Sequence, residues 1–153
     1  MDDRTQPEPA AGPTTVHGGA ADEIVSGTDP GPFSSLLGFE VVGIDDAGVR
    51  MRAVPGPEHC NGGGILHGGY LSSLLDSATG WAVHARTPDG VPAPHVQLTV
   101  QYVRAAQPGR PLVVTARCVS AGRRIASADA EIHQDGRLIA RAVSSHAVLP
   151  TGL

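Results

Sequence analysis

One segment of the sequence concentrates residue types that can do chemistry: the glycine-rich stretch that begins at Asn61 and ends at Asp76. It leads directly into a long helical pattern. The first backbone N–H groups of a helix have no partner within the helix, and the helix dipole favours negative charge at that end. Gly68 and Gly69 carry no side chain that would block an approaching oxygen. Backbone groups could therefore form an oxyanion hole here, or the glycines could merely permit a tight turn into the helix.

Asp76 is the second candidate for chemistry. It falls in the middle of the predicted helix, where Asp is a poor helix former and gains nothing from either helix end. A lone Asp in this position is usually an exposed surface residue. Its neighbours on the helix, however, are small or apolar rather than charged. Partial burial would raise its pKa and suit it to proton transfer.

The spacing of these two candidates constrains how they could cooperate. Gly68 and Asp76 are eight residues apart, which is about 12 Å along a helix at ~1.5 Å per residue. An oxyanion donor and a base acting on one carbonyl must each lie within roughly 3 Å of the reacting atoms. If both residues are catalytic, two antiparallel copies of the helix must share the site, and the protein must be at least a dimer.

The elements around this segment follow from hydrophobic periodicity. A long helix is predicted from near His67 to before Pro88, with its apolar face at Leu71, Leu74, Leu75, Ala78, Ala82 and Ala85. A short helical turn at 33–37 and strands at 39–44 and 49–54 precede it. Strands at 96–102, 112–118, 125–132 and 138–148 follow it, with a hairpin turn at Asp135-Gly136. This α+β order fits a six-stranded antiparallel sheet with one helix against it.

The motif residues resemble a known family. The pattern Asn-x5-His-Gly-Gly-x6-Asp, at Asn61, His67-Gly68-Gly69 and Asp76, is similar to that of the hotdog-fold acyl-CoA thioesterases of the phenylacetate-pathway (PaaI-like) type. Thr99-x-x-Tyr102-Val103-Arg104 resembles the first strand after the helix in that family. The resemblance covers residues 33–149 and implies a six-stranded sheet wrapped on one long central helix.

The resemblance also implies roles for individual residues. Gly68 N–H would polarise the thioester carbonyl, and Gly69 would lie against the substrate. Asn61 would help to hold that carbonyl or the attacking water, and His67 would shape the start of the helix. Asp76 of the partner subunit would be the general base or the nucleophile.

The strand after the helix departs from the family pattern. Relatives often have a Ser or Thr near its start that positions water. Alignment on Tyr102 places His95 there instead, with Thr99 further along the strand. Both residues are therefore candidates to contact water or substrate.

Arginine is the candidate binder of coenzyme A phosphates, since its guanidinium makes bidentate contacts with phosphate. All eleven basic residues of the chain are Arg, which excludes Lys Schiff-base chemistry and a P-loop lysine. The adjacent pair Arg123-Arg124 is a better candidate than the isolated Arg86, Arg104 and Arg110.

Composition excludes several other classes of protein. The net charge is −4, which disfavours binding to nucleic acid. No apolar run approaches the ~18–20 residues of a membrane span, and no signal peptide is apparent. Residues 1–29 are acidic and rich in Pro, Gly and Ala, so we expect a disordered tail before a single domain over 30–150.

Two cysteines, Cys60 and Cys118, are too few for a disulfide framework, and a cytoplasmic protein with free thiols is expected. His59, Cys60 and His67 do not match a structural zinc spacing, so no metal site is expected. A Cys–His–Asn hydrolase built on Cys60 and Asn61 is conceivable but has no family context.

The leading functional hypothesis is a homodimeric or homotetrameric acyl-CoA thioesterase. Coenzyme A is then part of the substrate, and no cofactor is expected. One alternative is a non-catalytic hotdog protein that binds acyl-CoA or an acyl carrier. The other is a hotdog enoyl-thioester hydratase or dehydratase, in which His95 and Asp76 would transfer protons.

Overall fold

The structure is a computed structural model that describes residues 31–149. The predicted tail over residues 1–29 lies outside the described residues. The elements are, in chain order, α1 (Gly31–Leu37), β1 (Phe39–Asp45), β2 (Gly48–Ala53), a 3-10 turn (Pro57–His59), α2 (Gly68–His84), β3 (His95–Tyr102), β4 (Leu112–Ala121), β5 (Ile125–Gln134) and β6 (Arg137–Ala147).

The six strands form one antiparallel sheet in the order β1-β2-β4-β5-β6-β3. The β5–β6 hairpin turns at Asp135 and Gly136, whose φ angles of 50° and 73° match the left-handed conformation of a type I′ turn. Strands β2 and β4 are neighbours in the sheet, although α2 and β3 lie between them in the chain. Strand β3 pairs with β6 at the edge of the sheet opposite β1. The predicted α+β architecture is confirmed.

The long helix α2 packs its apolar face on the sheet. Leu71, Leu74, Leu75, Ala78 and Ala82 are buried as the periodicity predicts. Ala85, which the same pattern places on the apolar face, instead follows the last helical residue as the C-cap and is exposed. Sheet residues that meet the helix in the core include Met51, Leu112, Val114 and Ile132.

Two polar residues of α2 are buried although the apolar pattern does not include them. The Tyr70 hydroxyl donates to the Leu37 carbonyl oxygen at 3.2 Å. The Thr79 hydroxyl donates to the Leu75 carbonyl oxygen at 2.9 Å. Each hydroxyl is buried with a backbone acceptor, which removes most of the cost of taking it out of water.

Edge strand β3 decides which residues approach the helix. Leu98 and Val100 pack against the core, whereas Thr99 and its neighbours Gln97 and Gln101 are exposed on the other face. The register shifts between His95 and Gln97. This irregularity brings His95 to the helix side, because one extra residue reverses the face on which a side chain lies.

No helix within residues 31–149 is both long enough and apolar enough to cross a membrane.

Candidate active site

The loop before α2 is held in a fixed conformation. An isolated antiparallel β-bridge pairs the backbones of Cys60 and Leu66 at the two ends of the loop. Between them, Asn61 N–H donates to the Ile65 carbonyl oxygen at 2.9 Å. The Asn61 side-chain oxygen accepts from Gly63 N–H at 2.8 Å. Since that oxygen is used within the loop, the amide group that Asn61 can offer to another molecule is its Nδ2 donor.

His67 begins the helix as its N-cap. Its backbone is extended, and its Nδ1 atom accepts a hydrogen bond from Gly69 N–H at 2.8 Å. The backbone N–H of His67 donates to the His59 carbonyl oxygen at 2.8 Å. His67 thus occupies the Gly69 donor, so the two candidate glycines are not equivalent.

Of the two glycine N–H groups at the start of α2, that of Gly68 remains available to an acceptor from another molecule. It has no acceptor among residues 31–149, and it lies at the positive end of a 17-residue helix. This is the position expected of an oxyanion donor, since an acceptor would gain both a hydrogen bond and the dipole.

Tyr102 lies against the first turn of α2. Its hydroxyl donates to the Gly68 carbonyl oxygen at 3.1 Å and lies 2.5 Å from Ser72 Oγ. A Cβ atom on Gly68 would come within 3.2 Å of the Tyr102 ring. Edge strand β3 therefore holds the helix start in place, and glycine at position 68 leaves room for that contact.

Asp76 lies two turns further along α2 and is more exposed than the sequence suggested. Its side chain retains 53% of its accessible surface, so the expected partial burial is absent in the single protomer. The helix turns Asp76 outward while its neighbours Leu75 and Ala78 face the core. Among residues 31–149, this carboxylate is therefore left largely exposed.

His95 is the side chain that meets Asp76. His95 Nδ1 lies 3.4 Å from Asp76 Oδ1, and its Nε2 lies 2.9 Å from Thr79 Oγ1. Burial lowers the pKa of His95, and the neighbouring His146 lowers it further, whereas the Asp76 carboxylate acts in the opposite direction. Of the two residues proposed to position water, His95 is the one beside Asp76.

His146 on β6 is a buried neighbour that sequence reasoning missed. Its ring stacks on that of His95 with the centroids 3.9 Å apart. Its Nδ1 lies 3.0 Å from the Ala93 carbonyl oxygen and its Nε2 lies 2.9 Å from Ser144 Oγ. The available signal was the spacing of Ser144 and His146, two polar residues on the same face of the strand as Ala140 and Ala142.

The other predicted contacts lie elsewhere on the protomer. Thr99 is on the sheet face away from α2, where its hydroxyl accepts from Gln97 Nε2 at 2.9 Å. Arg123 and Arg124 are exposed in the turn between β4 and β5. The Arg124 carbonyl oxygen accepts from Val148 N–H at 2.9 Å, and this places the turn near the end of the sheet that holds His95.

The residues beside the loop have other partners. His59 Nδ1 accepts from Gly56 N–H at 3.0 Å, and its ring packs on Tyr70 with the centroids 4.3 Å apart. Burial, aided by the Glu58 charge, raises the pKa of Tyr70 to about 12. Within residues 31–149, no three His, Cys, Asp or Glu side chains are grouped as metal ligands would be.

We predict that His67→Ala lowers the free energy of unfolding by about 1 kcal/mol, as removal of a helix N-cap does. His67→Asn should restore most of that stability, because Asn is among the strongest N-caps. Urea denaturation of the two variants measures the effect. Equal losses in both would show that the Nδ1···Gly69 contact does not stabilise the helix.

Comparison with known proteins places this arrangement in a family. A family model described as the thioesterase superfamily matches residues 63–140. Human acyl-coenzyme A thioesterase 13 is 34% identical over 86 residues, which are 55% of this chain and 61% of that protein. The phenylacetic acid degradation protein PaaI from Thermus thermophilus superimposes with a TM-score of 0.72 at 27% identity, covering 78% of this chain and all of that one.

A protein from Streptococcus pneumoniae described as a hypothetical thioesterase, solved with coenzyme A, gives a TM-score of 0.70 at 25% identity, covering 77% of this chain and 91% of that one. The alignments with the first curated relatives span only 56–63% of those relatives' lengths. The family match nevertheless covers half of the present chain, and the sheet order agrees with the hotdog fold that the motif predicts. The chain belongs to the thioesterase superfamily.

Proposed function

We propose that this protein hydrolyses acyl-CoA thioesters to a free carboxylic acid and coenzyme A. The observation that carries the proposal is the unpartnered Gly68 N–H at the start of α2, with the exposed Asp76 carboxylate two turns further along the same helix. Two similar proteins support the proposal. One relative is named acyl-coenzyme A thioesterase 13, and one similar structure was solved with coenzyme A.

In the proposed reaction, the thioester carbonyl oxygen accepts a hydrogen bond from Gly68 N–H, and the helix dipole stabilises the charge that develops there. Water adds to the carbonyl carbon, the C–S bond breaks, and the thiolate of coenzyme A leaves and is protonated. Asp76 either removes the proton from water, or attacks the carbonyl carbon itself and expels the thiolate. In the second route water then hydrolyses the resulting anhydride, which releases the acid and restores the carboxylate. The Nδ2 donor of Asn61 is available to hold the carbonyl or the water.

We further propose that each site is shared by two protomers. Within one protomer, Gly68 and Asp76 are about 12 Å apart along α2. Within residues 31–149, edge strand β3 is hydrogen-bonded only to β6, and it leaves Val96 60% exposed and Tyr102 54% exposed. Pairing of β3 with a second copy would cover this edge and would set two α2 helices side by side in a homodimer, or in a tetramer of two such dimers.

The proposed binders of the coenzyme A phosphates are Arg123 and Arg124. The other candidates already have partners: Arg86 and Arg110 lie beside Asp46 and Asp135, and Arg104 donates to the Leu138 carbonyl oxygen. Among residues 31–149, no side-chain partner occupies Arg123 or Arg124. Two adjacent guanidinium groups suit the bidentate recognition of phosphate.

The cytoplasm is the proposed location of the reaction. Cys60 and Cys118 are both free thiols in the structure. Free thiols are the usual state of cysteine in a reducing compartment.

The direct test is thiol release from a panel of short, long, branched and aromatic acyl-CoAs. We expect at least one substrate to be hydrolysed with kcat/KM in the range of about 10⁴ M⁻¹s⁻¹ or more, the range typical of enzymes. Calorimetric binding of acyl-CoA without release of thiol from any substrate would instead favour a non-catalytic binding protein.

The contact between His95 and Asp76 favours a second candidate function, hydration or dehydration of an enoyl thioester. An imidazole and a carboxylate 3.4 Å apart could serve as the acid and the base of that reaction. Enoyl absorbance followed in the same assay separates the two functions. Loss of enoyl absorbance without thiol release would identify a hydratase.

A further inference from the structure

We propose that His95 is a positioning residue that controls Asp76: the two side chains hold one proton between His95 Nδ1 and Asp76 Oδ1, and the site works only after that proton has left. The inference rests on the proposed function, in which Asp76 assists thioester hydrolysis.

The contacts of Thr79 fix which ring nitrogen of His95 faces the carboxylate as an acceptor. Thr79 is fully buried, and its single hydroxyl hydrogen is donated to the Leu75 carbonyl oxygen at 2.9 Å. His95 Nε2, 2.9 Å from Thr79 Oγ1, must then be the donor in that contact. The proton of a neutral His95 is therefore on Nε2, and Nδ1 presents a lone pair to Asp76.

His146 limits how many protons the group can hold. Its Nδ1 donates to the Ala93 carbonyl oxygen at 3.0 Å. Its Nε2 lies 2.9 Å from Ser144 Oγ, which is closer than the other acceptor of that hydroxyl, the Ala128 carbonyl oxygen at 3.4 Å, so both ring nitrogens have a partner. The ring has no exposed surface and stacks on His95. A second imidazolium against this stack would be buried beside a like charge, which is costly. An added proton therefore enters the gap between His95 Nδ1 and Asp76 Oδ1.

The charged and titratable groups that face His95 are Asp76 on α2 and His146 on β6. Burial lowers the pKa of His95 more than Asp76 raises it, so the pair gains its proton below the ordinary His value of about 6.5. With the proton bound to His95, the carboxylate is engaged in an ion pair and is a weaker base. Activity should therefore fall as the pH falls through this transition, and the pair should titrate as a unit.

The kinetic test compares pH profiles of kcat/KM for the full-length wild type and His95→Asn. We expect the acid limb of the variant to move to lower pH, because the imidazole that binds the shared proton is gone, and kcat to fall about 10- to 100-fold from lost positioning. His133→Asn is the matched control. His133 also lies beside a carboxylate, with its Nε2 3.7 Å from Glu131 Oε2, but this pair is outside the proposed site. The substitution should therefore leave the pH profile unchanged. A lower kcat in His95→Asn with the acid limb unmoved would overturn the proposal.

A titration that needs no substrate separates this proposal from the proposed function. NMR of the histidine rings, with His95→Asn used to assign the His95 signals, follows its pKa in the wild type and in Asp76→Asn. Loss of the carboxylate should lower the pKa of His95 further. If the His95 titration is the same in both proteins, the shared proton does not exist. If it shifts but no acyl-CoA is hydrolysed, the pair is real and the proposed function is wrong.

Discussion

Asp76→Asn should lower kcat for acyl-CoA hydrolysis by at least about 100-fold, the usual cost of removing a positioned acid–base group. The amide nearly matches the carboxylate in shape but can neither accept the proton of water nor attack the carbonyl as a nucleophile. The expectation therefore holds for either role of Asp76. Thiol release under saturating substrate measures it.

Stability should not change with this substitution, so a loss of activity would report on chemistry. The Asp76 side chain is more than half exposed, and surface substitutions usually change stability by no more than about 0.5 kcal/mol. Asp89→Asn is the matched control, since it neutralises an exposed carboxylate in the turn after α2. A folded Asp76→Asn protein with near-normal turnover would remove Asp76 from the mechanism.

Much of the fold could be predicted because local signals agree with it. The helix begins at Gly68, next to the predicted start near His67, since His67 is an extended N-cap whose side chain accepts a hydrogen bond at the helix start. The Asp135-Gly136 turn could be predicted because both residues tolerate the positive φ that a type I′ turn requires.

The side-chain contacts of the site could not be predicted in the same way. The alternation that groups Val96 with Leu98 and Val100 breaks at the irregularity after His95, and Val96 is 60% exposed. A single extra residue in a strand leaves no mark in its composition but exchanges the two faces. The meeting of His95 with Asp76 depends on that irregularity.

One chain alone cannot define the whole of the proposed site, because we propose that two protomers share it. The motif identifies Gly68 as a donor, and the helix N-terminus explains why it is left unpartnered. The exposure of Asp76, by contrast, could not be predicted, because periodicity within one sequence does not describe which other elements, or which residues of the proposed second protomer, cover that face of the helix. The geometric argument that one helix cannot bring Gly68 and Asp76 to one carbonyl holds in the structure as well.

The Gly68 donor can be removed with little disturbance of the helix. Position 68 is the first residue of α2, where Pro is favoured, and the preceding His67 has φ −65° and ψ 137°, which a following Pro accepts. Gly68→Pro removes one hydrogen-bond donor, the backbone N–H, and it also adds ring atoms near Tyr102. Gly68→Ala adds a Cβ at the same 3.2 Å from the Tyr102 ring but keeps the N–H. We expect Gly68→Pro to have a kcat about 100-fold below that of Gly68→Ala, the typical cost of one oxyanion donor.

Co-assembly of Gly68→Pro with Asp76→Asn should then restore activity that neither variant has alone. In a hybrid dimer, the intact Gly68 of one protomer faces the intact Asp76 of the other, so one of the two sites is complete. Random assortment makes half of the dimers hybrids, so the unfractionated mixture should have about a quarter of wild-type activity and the isolated hybrid about half. Co-expression with two affinity tags isolates the hybrid, and thiol release measures it. A hybrid as inactive as its parents would mean that each site lies within one protomer, because then no protomer would retain both residues.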